Sequence, residues 1–137
     1  METGYITFID TDNSSIDFRL VDSTVWMTVA EIADLFGVYT PLINKNLKAI
    51  FKDNLSRENE VMKEYRYTKN EKEEYIRTYY NLEIILLLSF RIRSLKAKAL
   101  REWILNIFRE NEKEKRQQDI IVVFNSNKII SSLKTLN

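Results

Sequence analysis

A chain of 137 residues, 45% of them apolar, can build one core of ordinary size but not several. It contains no cysteine and no histidine, which excludes disulfides, thiolate nucleophiles, the usual zinc sites and the commonest general base. The net charge is only +1, yet residues 1–36 hold seven acids against the single base Arg19, a balance of −6 that leaves +7 for the remainder.

Such separation fits a basic face suited to a phosphate backbone, and also ordinary solvated charge. The 20 acidic residues show no spacing that singles out a catalytic or metal-binding pair. The expectation is therefore a non-enzymatic protein with no cofactor and no metal. No apolar run is long enough to cross a bilayer and the acidic amino terminus carries no export signal, so no membrane association and a cytoplasmic location are expected.

The first third reads as short strands, GYITFI, SIDFRLV and TVWMT, separated by the turn-rich DTDNSS and by DS, and predicts a small antiparallel sheet at the start. At Thr28 the period changes: TVAE predicts a capping box between Thr28 and Glu31 that opens a helix. Ile32, Leu35 and Phe36 then give its apolar face, Ala33 allows close packing, and Gly37 can close it in the left-handed conformation. Thr40 is the expected N-cap of a second helix from about Pro41 to Phe51, with proline at its first position. Ile43, Leu47 and Ile50 fall on one stripe and leave Asn44, Lys45 and Lys48 on the other.

Residues 60–80 predict a hairpin, VMKEYRYT and EYIRTYY joined by the polar KNEKE, with Tyr65, Tyr67, Tyr75 and Tyr79 on one face and Arg66 and Arg77 on the other. It can serve as an aromatic, basic wing on nucleic acid or simply be stabilised by cross-strand tyrosine pairs. Asn81 caps LEIILLLSF, a helix apolar enough to be buried nearly all round. Ser94 caps another through about Arg116, with Leu100, Trp103, Ile104, Ile107 and Phe108 on a core-facing stripe. DIIVVFNSNKIISSLKTLN leaves strand and helix open, including a short helix capped by Asn127.

Two short helices joined at a glycine, with Ala33 inside the first and Val38 just after the turn, match the helix-turn-helix pattern. In a DNA-binding version the start of the second helix meets base edges while basic side chains hold phosphates. The site residues are then Tyr39, Thr40, Asn44, Lys45 and Lys48. Asn44 suits bidentate pairing with adenine, Lys45 guanine or phosphate, and Lys48 phosphate. GVYTPLINKNLKA also resembles the recognition segment of Cro-type phage repressors.

Three longer stretches, VWMTVAEIADLFGV, LKAIFKDN and YYNLEIILLLSFRIRSLKAKALREW, together resemble the RhuM family of virulence-associated and phage-type bacterial proteins, over roughly residues 24–107. The likeness to BRO and KilA amino-terminal modules is looser. The resemblance implies a helix-turn-helix region and a regulatory role in mobile elements. The family's Arg/Ser/Thr run at the start of the second helix is Thr40, Pro41 and Leu42 here, and its Gly-Tyr before arginine is Ser89 and Phe90. Arg91, Arg93, Lys96, Lys98 and Arg101 form the densest basic cluster; it can meet phosphates or neutralise a helix end and remain solvated, and Arg91 and Arg101 match the family motif.

The expected fold is α+β: a helix-turn-helix with small antiparallel strands or a hairpin and two longer packed helices. Residues 1–116 form the domain (28–51 helix-turn-helix, 60–80 hairpin, 81–116 helical core), and 117–137 a tail or oligomerisation element. Duplex DNA bound by a homodimer is the expected partner. The alternative is a protein-interaction module, an antirepressor or antitoxin-like partner, because Pro41 and Leu42 suit a protein surface better than polar base edges.

Overall fold

A computed structural model of the chain describes residues 2–9, 15–53 and 57–135, with side chains in the last helix to residue 117. The fold is α+β, with two small antiparallel sheets and five helices among the described residues. Strands β1 (Tyr5–Phe8) and β2 (Ile16–Arg19) pair from Tyr5 opposite Arg19 to Phe8 opposite Ile16. Of the DTDNSS turn predicted between them, residues 10–14 lie outside the described residues. Gly4, which carried no sequence signal, is required by close approach: its φ is +68° and a Cβ there would overlap the Arg19 carbonyl oxygen.

The DS turn forms as a two-residue loop in which Val21 and Thr24 exchange backbone hydrogen bonds, with Asp22 and Ser23 both at positive φ, the geometry that matches strand twist. The third predicted strand, β3 (Trp26–Met27), leaves the first two. It pairs instead with the distant β5 (Glu73–Asn81), in a sheet ordered β3-β5-β4 with β4 at Met62–Asn70. Val25 and Met27 are buried, so the core, rather than sequence proximity, chooses the partner.

Helix α1 (Val29–Phe36) begins with the predicted capping box: the Thr28 hydroxyl accepts from the Glu31 N–H at 3.2 Å, and the Thr28 N–H donates to the Glu31 carboxylate at 3.1 Å. It ends at Gly37, at φ +66° and ψ 37°, where the Val38 N–H returns to the Ala33 carbonyl at 3.0 Å. A Cβ on Gly37 would meet only the flexible Lys96 side chain, at 3.4 Å. The cost of Gly37→Ala is therefore that of the left-handed backbone, about 1–2 kcal/mol, and should appear as a lower urea midpoint with an unchanged slope.

Helix α2 (Thr40–Lys52) starts one residue earlier than expected, at the residue read as its cap. Its N-cap is Tyr39, with no side-chain cap bond, and Thr40 and Pro41 are the first two helical residues. Proline fits there because the first-turn N–H groups lack helical partners in any case. Ile32, Ala33, Leu35 and Phe36 of α1 and Ile43, Leu47 and Ile50 of α2 are all buried, each large one contributing about 1.5–3 kcal/mol through burial.

A single turn of helix, α3 (Glu58–Val61), precedes the hairpin where the sequence predicted strand alone; it buries Val61. The hairpin forms with a turn at Glu71 and Lys72 and pairs Tyr65 with Arg77, Tyr67 with Tyr75 and Lys63 with Tyr79. The four tyrosines share a face as expected. Arg77 shares it too, contrary to the expectation, because residues 75, 77 and 79 point the same way in a strand. Tyr80, on the other face, stacks on Phe51 of α2 with centroids 6.3 Å apart.

Burial raises the Tyr80 phenol above its ordinary value of 10.0, reinforced by Glu58 and Glu64. A proton held more tightly in the folded state gives stability that is complete below pH 10 and lost as the pH rises through the folded value. Urea unfolding should therefore be flat in this respect at neutral pH and weaken in the alkaline range, and Tyr80→Phe should reduce that alkaline loss.

Helix α4 (Leu82–Arg91) is capped by Asn81, whose side-chain oxygen accepts the Ile84 N–H at 3.3 Å. Ile84, Ile85, Leu88 and Ser89 are buried, but Phe90 is 62% exposed, so the helix has an outer side that its composition hid. Helix α5 (Leu95–Thr135) continues through the IIVVF stretch. The strand alternative is not adopted, since a helix satisfies its own backbone without a neighbouring strand. Packing divides the chain into units 1–103 and 104–137; in the second, Phe108 is exposed where the stripe predicted core. No helix among the described residues is long and apolar enough to cross a membrane.

Candidate nucleic-acid interface

With Ile43, Leu47 and Ile50 turned inward, the helical period leaves Asn44, Lys45 and Lys48 on the solvent side of α2, all exposed. Its 13 residues include Lys45, Lys48 and Lys52 and no acid, so no carboxylate of its own neutralises the positive end of the helix dipole. Tyr39 and Thr40 stand exposed at its start, Tyr39 at 88%. Asn44 and Lys48 also line a groove with Leu47, Phe51, Glu58 and Tyr80, between α2 and the base of the hairpin.

The opposite flank of α2 is joined to the basic cluster through Asn46, which the sequence reading did not single out. Its amide nitrogen donates to the Leu42 carbonyl at 2.9 Å, and its amide oxygen accepts from Arg91 Nε at 3.2 Å. Only an internal helix bond and a partner 45 residues away reveal this role. Arg91 is thereby held against the second helix while remaining exposed.

Ser94 fixes the next segment, as an N-cap and as a tie. It accepts the Ala97 N–H at 3.1 Å and donates to the Phe36 carbonyl at 2.7 Å, joining the start of α5 to the end of α1. Lys96 runs past Gly37, and Arg93, directly before Ser94, is exposed. Lys98 faces solvent with Glu102 at 3.9 Å, an exposed pair worth about 0.3–0.5 kcal/mol. Arg101 is used internally: its guanidinium donates to the Ser89 carbonyl and, at 3.0 Å, to that of Ile92, closing the carboxyl end of α4.

The cluster read from the sequence is thus split. Arg91 and Lys96 lie against the α1–α2 pair, Arg93 and Lys98 face solvent, and Arg101 supports the scaffold. What this surface offers is ammonium, guanidinium and amide donors on a rigid helix. Among the described residues, no group of three acidic side chains is placed to hold a metal ion. No protein-family model, curated protein or solved structure matches this chain.

Proposed function

We propose that α1 and α2 form a helix-turn-helix that lays α2 in the major groove of duplex DNA, in a regulator of phage or mobile-element type acting in the cytoplasm. The observation that carries this reading is the acid-free outer side of α2, where Asn44, Lys45 and Lys48 are exposed together and Asn46 holds Arg91 alongside. Thr40 and Asn44 reach base edges in this arrangement, Lys45 meets guanine or phosphate, and Lys48, Arg91 and Arg93 anchor phosphates. The resemblance to the RhuM family supports the regulatory role.

Two copies would occupy half-sites about 34 Å apart or a multiple of that, with the exposed Leu105 and Phe108 of α5 available to a pairing helix. Fluorescence anisotropy with a labelled duplex over a salt series tests the reading. Four phosphate contacts per protomer give a log–log slope of about −3.6. No binding even at low salt would sink it. A protein partner is the second reading, motivated by the exposed Tyr39 and Leu42 at the start of α2; its signature is a stable complex recovered without DNA and broken by Leu42→Glu.

A further inference from the structure

The hairpin carries a second surface, facing away from α2. Met27 and Tyr80 project toward the buried side of the sheet, where Tyr80 meets Phe51. By alternation, Trp26, Tyr65, Tyr67, Tyr75 and Tyr79 occupy the opposite face. β3 pairs only with Tyr80 and Asn81, so beyond it the hairpin is a two-stranded ribbon with no third strand beside its rings among the described residues.

The rings form a ladder. Tyr65 and Tyr67 lie with centroids 6.4 Å apart and planes 21° from parallel; Tyr67 and Tyr75 are 5.6 Å and 23° apart. Three cations accompany them, Lys63 4.3 Å from the Trp26 ring centre, Lys69 5.2 Å from that of Tyr75 and Arg77 5.2 Å from that of Tyr67. Among the described strand residues on this side the one carboxylate, Glu73, already accepts the Tyr75 hydroxyl at 2.5 Å. Glu64 and Glu74 fall on the other face, where Glu74 lies 3.7 Å from Arg66.

Cross-strand tyrosine pairs alone would stabilise the ribbon, but they do not require cations to gather with the rings and acids to segregate from them. We infer that this face binds single-stranded DNA, with unpaired bases stacked on the tyrosine ladder and phosphates met by Lys63, Lys69 and Arg77. Stacking on rings needs bases free of their partners, and it tolerates any sequence because every base has a flat face. Among the described strand residues on this side, the one carboxylate is engaged by the Tyr75 hydroxyl rather than left to seek a ribose hydroxyl. The surface is separate from α2, so one can fail without the other.

The test is anisotropy of a labelled oligothymidylate, in parallel with a duplex and an oligouridylate, on the full chain. Tyr67→Ala or Tyr65→Ala should weaken oligothymidylate binding roughly five- to a hundred-fold, while Arg66→Ala on the other face leaves it within two-fold, about the scatter of such measurements. If a tyrosine replacement unfolds the hairpin, ring resonances of the wild-type protein followed during titration decide instead, with Tyr65, Tyr67 and Tyr75 shifting before Tyr39. The inference is overturned by absence of oligothymidylate binding at low salt or by binding indifferent to the ring replacements. Tighter binding of oligouridylate, or ring shifts produced by a proline-rich peptide and not by the oligonucleotide, overturns the assignment to DNA.

Discussion

Phe36→Ala is expected to destabilise the protein by about 3–5 kcal/mol, a large share of the roughly 5–15 kcal/mol that holds a domain folded. The ring is fully buried at the last position of α1, directly before Gly37. Its backbone carbonyl accepts the Ser94 hydroxyl. Truncation therefore removes apolar contact at the junction where α1, the turn to α2 and the start of α5 meet. Urea unfolding should show a lower midpoint with little change in slope. A cost under about 1 kcal/mol, the level of an ordinary surface change, would mean that this junction does not hold the helix pair.

Lys45→Ala combined with Lys48→Ala should weaken duplex binding by a similar factor for every sequence and make the salt slope shallower by about 1.8, the counterions of two phosphates. Both side chains are exposed on a helix with no acid, and neither contributes to the core. The variant should therefore melt like the parent. An unchanged slope with unchanged stability would move the phosphate contacts off α2. Arg101→Gln behaves oppositely, because its guanidinium serves the carbonyls of Ser89 and Ile92: stability falls first, and binding follows it.

What the sequence made legible was local. The Thr28 box, the Gly37 stop, the Asn81 and Ser94 caps and the Ile43, Leu47 and Ile50 stripe each depend on residues within a few positions, and each is present. Signals that depend on a distant partner were not available. β3 joins β5 more than fifty residues on, Asn46 meets Arg91 from another helix, and Arg101 caps a helix that ended ten residues earlier. Thr40 misled by one position because proline suits the second helical residue as well as the first. Arg77 could have been read correctly, since a period of two already puts it with Tyr75 and Tyr79; its place opposite Tyr65 required the hairpin register.

The same division applies to the surfaces. The outer side of α2 follows from helical spacing alone, whereas the ladder of tyrosines and cations needs both strands in register and Trp26 brought alongside. Pro41 marks where α2 begins and supplies no donor to a base. Sequence preference in the proposed duplex complex must then rest on Thr40 and Asn44, with Lys45 and Lys48 on phosphates.

Selection of bound duplexes from a random pool, repeated with Asn44→Ala, tests this most directly. The account predicts an enriched half-site motif for the parent and loss of preference at one adenine position for the variant, a change of about 1–3 kcal/mol for a bidentate contact. A pool that shows no enrichment, or a motif that Asn44→Ala leaves intact, would contradict it.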